Sequence, residues 1–104
     1  MTYDSKRDRF ILGSLDFGTL LAVPRSTVPA KNIHYNAEGV TMILSARPEA
    51  FNGSNFLGLT MDPRDEADAV WGCIGYGEHR TYGVAKVNLT TTAVEFYDLT
   101  FLVI

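Results

Sequence analysis

The run TYGVAKVNLTTTAVEFYDLTFLVI, residues 81–104, decides how the rest of the chain is read. In its first part Ala85, Val87 and Leu89 alternate with Val84, Lys86 and Asn88, so the two sets fall on opposite faces of a half-buried strand. After Thr90-Thr91-Thr92, Val94, Phe96 and Asp98 alternate with Glu95, Tyr97 and Leu99, with the β-branched and aromatic content that suits a pleat. From Phe101 through Leu102, Val103 and Ile104 both faces become apolar. Such a run predicts a strand hidden on both sides, either in mid-sheet or beneath a second subunit, because an open apolar edge invites aggregation.

Working outward, 104 residues amount to one domain with room for a sizeable core. Hydrophobic residues make up 46% and charged residues 20%, the balance of a folded chain rather than a disordered one. Cys73 is the single cysteine, so it has no internal disulfide partner, and no apolar leader follows Met1. These features predict a reducing, cytoplasmic setting or incorporation in a virus particle, without a signal peptide. No apolar run approaches the roughly 20 residues of a membrane helix. The formal charge of −3 is unevenly spread: residues 1–47 carry six cations against four anions, residues 48–104 three against eight. Opposite-signed halves can steer contact between copies unless folding interleaves them.

Residues 1–9 mix charges without periodicity and are expected to form a flexible arm, with residues 10–104 as a single β domain. The cations Lys6, Arg7 and Arg9 are diluted there by Asp4 and Asp8, so a nucleic-acid partner is not expected. FILG and FGTLLAV, closed by Pro24, read as the first one or two strands. Residues 24–39 form a long connection with a short extended piece over 32–35, where His34 lies beside Tyr35. Val40, Met42 and Leu44 against Thr41, Ile43 and Ser45 predict a strand over 39–46, ended by Arg47-Pro48. Asn52-Gly53 carries a hairpin signal, and residues 56–61 form the next strand with a bulge at Gly58. One short helix is expected over 62–69, with Asp62 as N-cap and Pro63 at its first position, before a strand over 70–74. The total is about six or seven short, mostly antiparallel strands with at most one short helix: an all-β chain, either a small sandwich or a barrel.

Candidate chemistry is sparse. Asp62, Asp65, Glu66 and Asp68 cluster without the spacing of a calcium loop and read as a solvated helix start. Glu78, His79 and Arg80 lie between Tyr76 and Tyr82 after a glycine turn; on a strand Glu78, Arg80 and Tyr82 share a face and His79 does not, which favours a contact role over an acid–base pair. Cys73, between Gly72 and Ile74, reads as a small buried hydrophobe. The patterns GxGxxG, GxxxxGK[ST], HExxH, GxSxG and paired CxxC do not occur. The run YGVAKVNLTTTAVEFYD resembles the final hairpin of calcineurin-like metallophosphatases, yet the metal-binding motifs of that family are missing, so the resemblance implies neither metal nor activity here.

The expected function is that of a non-enzymatic structural or assembly protein, a self-associating virion or particle component acting through protein–protein contacts. Its interface is expected at Lys6, Arg7 and Arg9 of the arm and at Leu99, Phe101, Leu102, Val103 and Ile104 of the tail. A second reading is a small β-barrel that binds or converts an apolar small molecule, with Trp71, Tyr76, His79, Arg80 and Tyr82 near its mouth. A third is an acidic interaction or inhibitor domain that binds a larger protein through residues 62–68. No metal, cofactor or membrane partner is expected, and the partner is a protein, in a homo-oligomer or larger assembly.

Overall fold

The computed structural model describes residues 1–14, 18–27, 39–77 and 80–102. Their strands form two successive antiparallel meanders in which each strand pairs with the next. The first sheet holds β1 (Thr2–Asp4), β2 (Arg9–Ser14), β3 (Thr19–Pro24) and β4 (Thr41–Met42). The second holds β5 (Asn55–Met61), β6 (Ala69–Gly75), β7 (Gly83–Asn88) and β8 (Val94–Asp98). The sheets pack on each other as a sandwich, and among the described residues the only helical pieces are short 3-10 turns. No described helix is long and apolar enough to cross a membrane.

Period-two alternation explains the layering. On β6, Val70 and Ile74 enter the core while Trp71 and Cys73 face away from it; on β7, Ala85 and Val87 enter and Val84 and Lys86 do not. The core joins Ile11 and Leu20 of the first sheet to Phe56, Val70, Ala85 and Val87 of the second. Phe51, from the connection between the sheets, is fully buried and meets Phe56 and Phe96 edge-on, at 5.2 Å each. Where β2 crosses β5, a side chain at Gly13 would put its Cβ 2.9 Å from that of Phe56, so only glycine allows the two backbones this close.

An ion-pair network also ties the sheets. Asp4, fully buried, accepts from Arg7 at 3.2 Å and Arg9 at 3.1 Å. Arg7 continues across to the second sheet with a bidentate pair to Asp68, at 2.8 and 2.7 Å. Asp68 also accepts from the Thr90 hydroxyl, and its carbonyl oxygen accepts the Leu89 amide at 2.8 Å. Arg7, helped by Thr90, holds the Asp68 carboxyl well below the usual carboxylate range. The cationic and anionic halves of the chain are therefore interleaved at this point.

Five expectations need correction. Residues 1–9 are not a loose arm: Thr2, Tyr3 and Asp4 pair with Ile11, Phe10 and Arg9, and Arg25 closes on Asp8 at 2.7 Å. The strand expected over 39–46 shrinks to Thr41–Met42, because the chain bends away once Ile43 has donated to the Leu20 carbonyl. Asn52 and Gly53 take the left-handed backbone expected of a tight turn, but the turn links the two sheets and closes no hairpin. The helix expected over 62–69 is one 3-10 turn at Asp65–Ala67. Asp62 there caps the Arg64 amide at 3.0 Å, and Asp68 turns left-handed at φ 42°, while the Asp62 amide is already bonded to Ala69, leaving no room for more. Finally, β8 stops at Asp98, whose carboxylate accepts the Thr100 amide at 3.0 Å, and Thr100–Leu102 forms a 3-10 turn instead of a covered strand. The bulge expected at Gly58 is present as a register shift between Phe56 and Leu59.

Candidate interaction surface

The face of the second sheet turned away from the core is built by the register of its strands. Trp71 on β6 lies across from Lys86 on β7, which lies across from Glu95 on β8; one step along, Cys73, Val84 and Tyr97 form the next row. Alternation that buries Val70, Ala85 and Val87 sends all six of these outward. The rows interlock: the Trp71 and Tyr97 rings stack at 6.1 Å and 23°, and the Lys86 ammonium sits 5.7 Å from the Trp71 ring centre. The Trp71 indole donates to Asp62 at 3.0 Å, and the Tyr97 hydroxyl donates to Glu95 at 3.0 Å. Both aromatic rings are thereby fixed in orientation before anything binds.

The electrostatics follow from these partners. Arg64, then Trp71, pulls the Asp62 carboxyl well below its usual range, and the Glu95 carboxylate pushes the Tyr97 hydroxyl upward. On this face Tyr97 is 47% exposed while Trp71 and Val84 are half-buried; Phe101 and Leu102, just past β8, are 68% and 69% exposed. Cys73, expected to be buried, faces solvent on this side.

Of the residues expected at a barrel mouth, four lie among the described residues. The fold is a two-sheet sandwich, and Trp71 and Tyr76 lie five positions apart along β6 and its exit, about 16 Å at the rise of a strand. Tyr76 and Arg80 sit in the β6–β7 connection with positive φ, both exposed, while the half-buried Tyr82 donates its amide to Thr100 Oγ1 at 3.0 Å. Glu78 and His79 lie outside the described residues, as do His34, Tyr35, Val103 and Ile104. Of the expected interface, Arg7 and Arg9 turn inward to Asp4 and Asp68, Lys6 stays exposed, and Leu99 is half-buried, its amide bonded to Tyr82 at 2.8 Å.

A cavity of about 460 Å³ opens between the β1–β2 turn and the β5–β6 connection, lined by Tyr3, Asp4, Lys6, Asp62, Arg64 and Asp68 among others. Asp4, Asp62 and Asp68 in its wall have cationic partners in Arg7, Arg9 and Arg64, and among the described residues no three His, Cys, Asp or Glu groups gather as metal ligands. Asp65, which also lines the cavity, and its neighbour Glu66 are exposed. The signal for the outer face was present in the pattern itself, since Val84 and Tyr97 are apolar members of the sets opposite the core. No protein-family model, curated protein or solved structure matches this chain.

Proposed function

We propose that this protein is a non-enzymatic contact module that associates with copies of itself as a structural or assembly component, through the outer side of its second sheet. The observation that carries this reading is the preset Trp71–Tyr97 stack, half-buried at Trp71 and exposed at Tyr97, beside Val84 and Cys73 with charged Lys86 and Glu95 at its rim. Exposed apolar clusters with a polar rim mark interaction sites, and Trp and Tyr are the residues that most often dominate the binding energy. Both side chains are already ordered by Asp62 and Glu95, so docking immobilises little that is not already fixed.

The test is the mass of the wild type in sedimentation velocity against that of the double variant Trp71→Ser/Tyr97→Ser. The wild type should exceed its 11.5 kDa monomer mass at about 100 µM, and the variant should need at least about tenfold more protein to do so. A wild type that stays monomeric, or a variant that assembles as readily, overturns the reading.

A further inference from the structure

We propose that β8 is the seam at which two copies of this chain join, edge to edge and antiparallel, so that their second sheets become one continuous sheet. The inference rests on the self-association proposed above and adds to the outer-face contact a second one, along the edge of the same sheet.

Among the described residues β8 is the last strand of its sheet and pairs only with β7. The ladder between them identifies which backbone groups are free. The Asn88 amide donates to the Ala93 carbonyl at 2.9 Å, and the Leu99 amide donates to the Tyr82 carbonyl at 2.8 Å. Hydrogen-bonded pairs recur at every second residue of an antiparallel ladder, so Glu95 and Tyr97 spend both their N–H and C=O groups on β7, flanked by the Ala93 carbonyl and the Leu99 amide. Val94, Phe96 and Asp98 therefore present theirs to the open side.

The other edges among the described strands are blunted in the usual ways. β1 is three residues long and β4 two, and β5 carries a bulge. β8 keeps an unbroken five-residue register with no proline or lysine in it.

A second copy fits because the open edge is its own complement. With a two-fold axis at Phe96, Phe96 faces its counterpart and Val94 faces Asp98 of the second copy, which closes about six backbone hydrogen bonds. On the outer face this register sets Glu95 opposite Tyr97 of the second copy. The Tyr97 hydroxyl already pairs with the Glu95 carboxylate within one strand, and the same chemistry then spans the seam. Lys86, across from Glu95 on β7, offsets the carboxylates brought together there. A slip of two residues would oppose Glu95 to Glu95, or Tyr97 to Tyr97, and shorten the ladder.

The decisive experiment uses the full chain in a Cys73→Ser background, with Glu95→Cys and Tyr97→Cys made as separate proteins. Both positions are exposed, so folding is not at stake, and as a non-hydrogen-bonded pair across the seam their Cα atoms would lie about 4.5 Å apart, within the range a disulfide spans. Mild oxidation of the mixture should give a disulfide-linked heterodimer at least tenfold above the homodimer yield of either protein alone. If the wild type sediments as a dimer but the mixture cross-links no better than its parts, β8 is not the seam and self-association stands by another surface. If the wild type is monomeric at roughly 100 µM, a weak affinity even for a small interface, seam and self-association fall together. Cross-linking of both single variants alone, at equal yield, would mean a sliding register and would also overturn the proposal.

Discussion

Truncating Phe51 to alanine probes the packing of the two sheets at its centre. The ring is fully buried and lies edge-on to Phe56 at 79° and to Phe96 at 62°, so one side chain from the inter-sheet connection holds β5 and β8 together. Removing a buried Phe side chain costs about 3–5 kcal/mol, of which each lost aromatic pair accounts for about 0.5–1.5 kcal/mol. A domain of this size is stable by about 5–15 kcal/mol, and each kcal/mol lost lowers the melting temperature by about 4–8 °C. Phe51→Ala should therefore melt lower by something on the order of 15–30 °C, while Tyr76→Ala, at a side chain 79% exposed, should stay within about 0.5 kcal/mol of the wild type. Urea unfolding followed by Trp71 fluorescence and by far-ultraviolet circular dichroism measures both. A Phe51→Ala loss below about 1 kcal/mol, indistinguishable from the Tyr76 control, would mean that the core is not built around this ring.

Arg7 holds the Asp68 carboxyl low, so its stabilisation is complete above the ordinary carboxylate value near pH 4 and is lost as pH falls from there towards the folded value. Asp68→Asn should be weaker than wild type by about 1–3 kcal/mol at pH 7 and should lose less on acidification to pH 3, in urea titrations; an equally steep acid dependence would contradict the network. Gly83→Ala would place a Cβ 2.1 Å from the Tyr97 carbonyl oxygen, so β8 should loosen and its β7-facing amides should exchange faster, at a cost of about 1–3 kcal/mol; an unaltered exchange pattern would refute the close approach. Cys73, on the outer face, should react with a disulfide-exchange reagent in the folded protein at micromolar dilution, where a buried thiol would wait for unfolding.

Much of the layering was legible because period-two alternation is a local signal. Ala85, Val87 and Leu89 read as one face and are buried together, and the bulge at Gly58 was readable from a glycine inside a strand run. What failed was whatever depended on distant partners. The pairing of Arg7 with Asp68 spans 61 positions, so the first nine residues looked like a charged arm when they are a clamped hairpin. The apolar tail looked like a covered strand because hydropathy records what a residue would prefer; the local bond from Thr100 to Asp98 turns the chain first. Cys73 was misplaced for a related reason: a neutral residue beside Ile74 carries no mark of which face it takes until the register with Val84 and Tyr97 is known. The same register assembles Trp71, Lys86, Glu95 and Tyr97 from three strands into one surface, which no contiguous motif encodes.

Amide hydrogen exchange at Phe96, followed as a function of protein concentration, addresses most directly whether copies of this chain meet along the second sheet. The Phe96 amide should exchange nearly as fast as an unstructured one at about 1 µM and become protected at about 100 µM, while the β7-bonded amides of Glu95 and Tyr97 stay protected throughout. A Phe96 amide that exchanges at the same rate across that range would contradict the account.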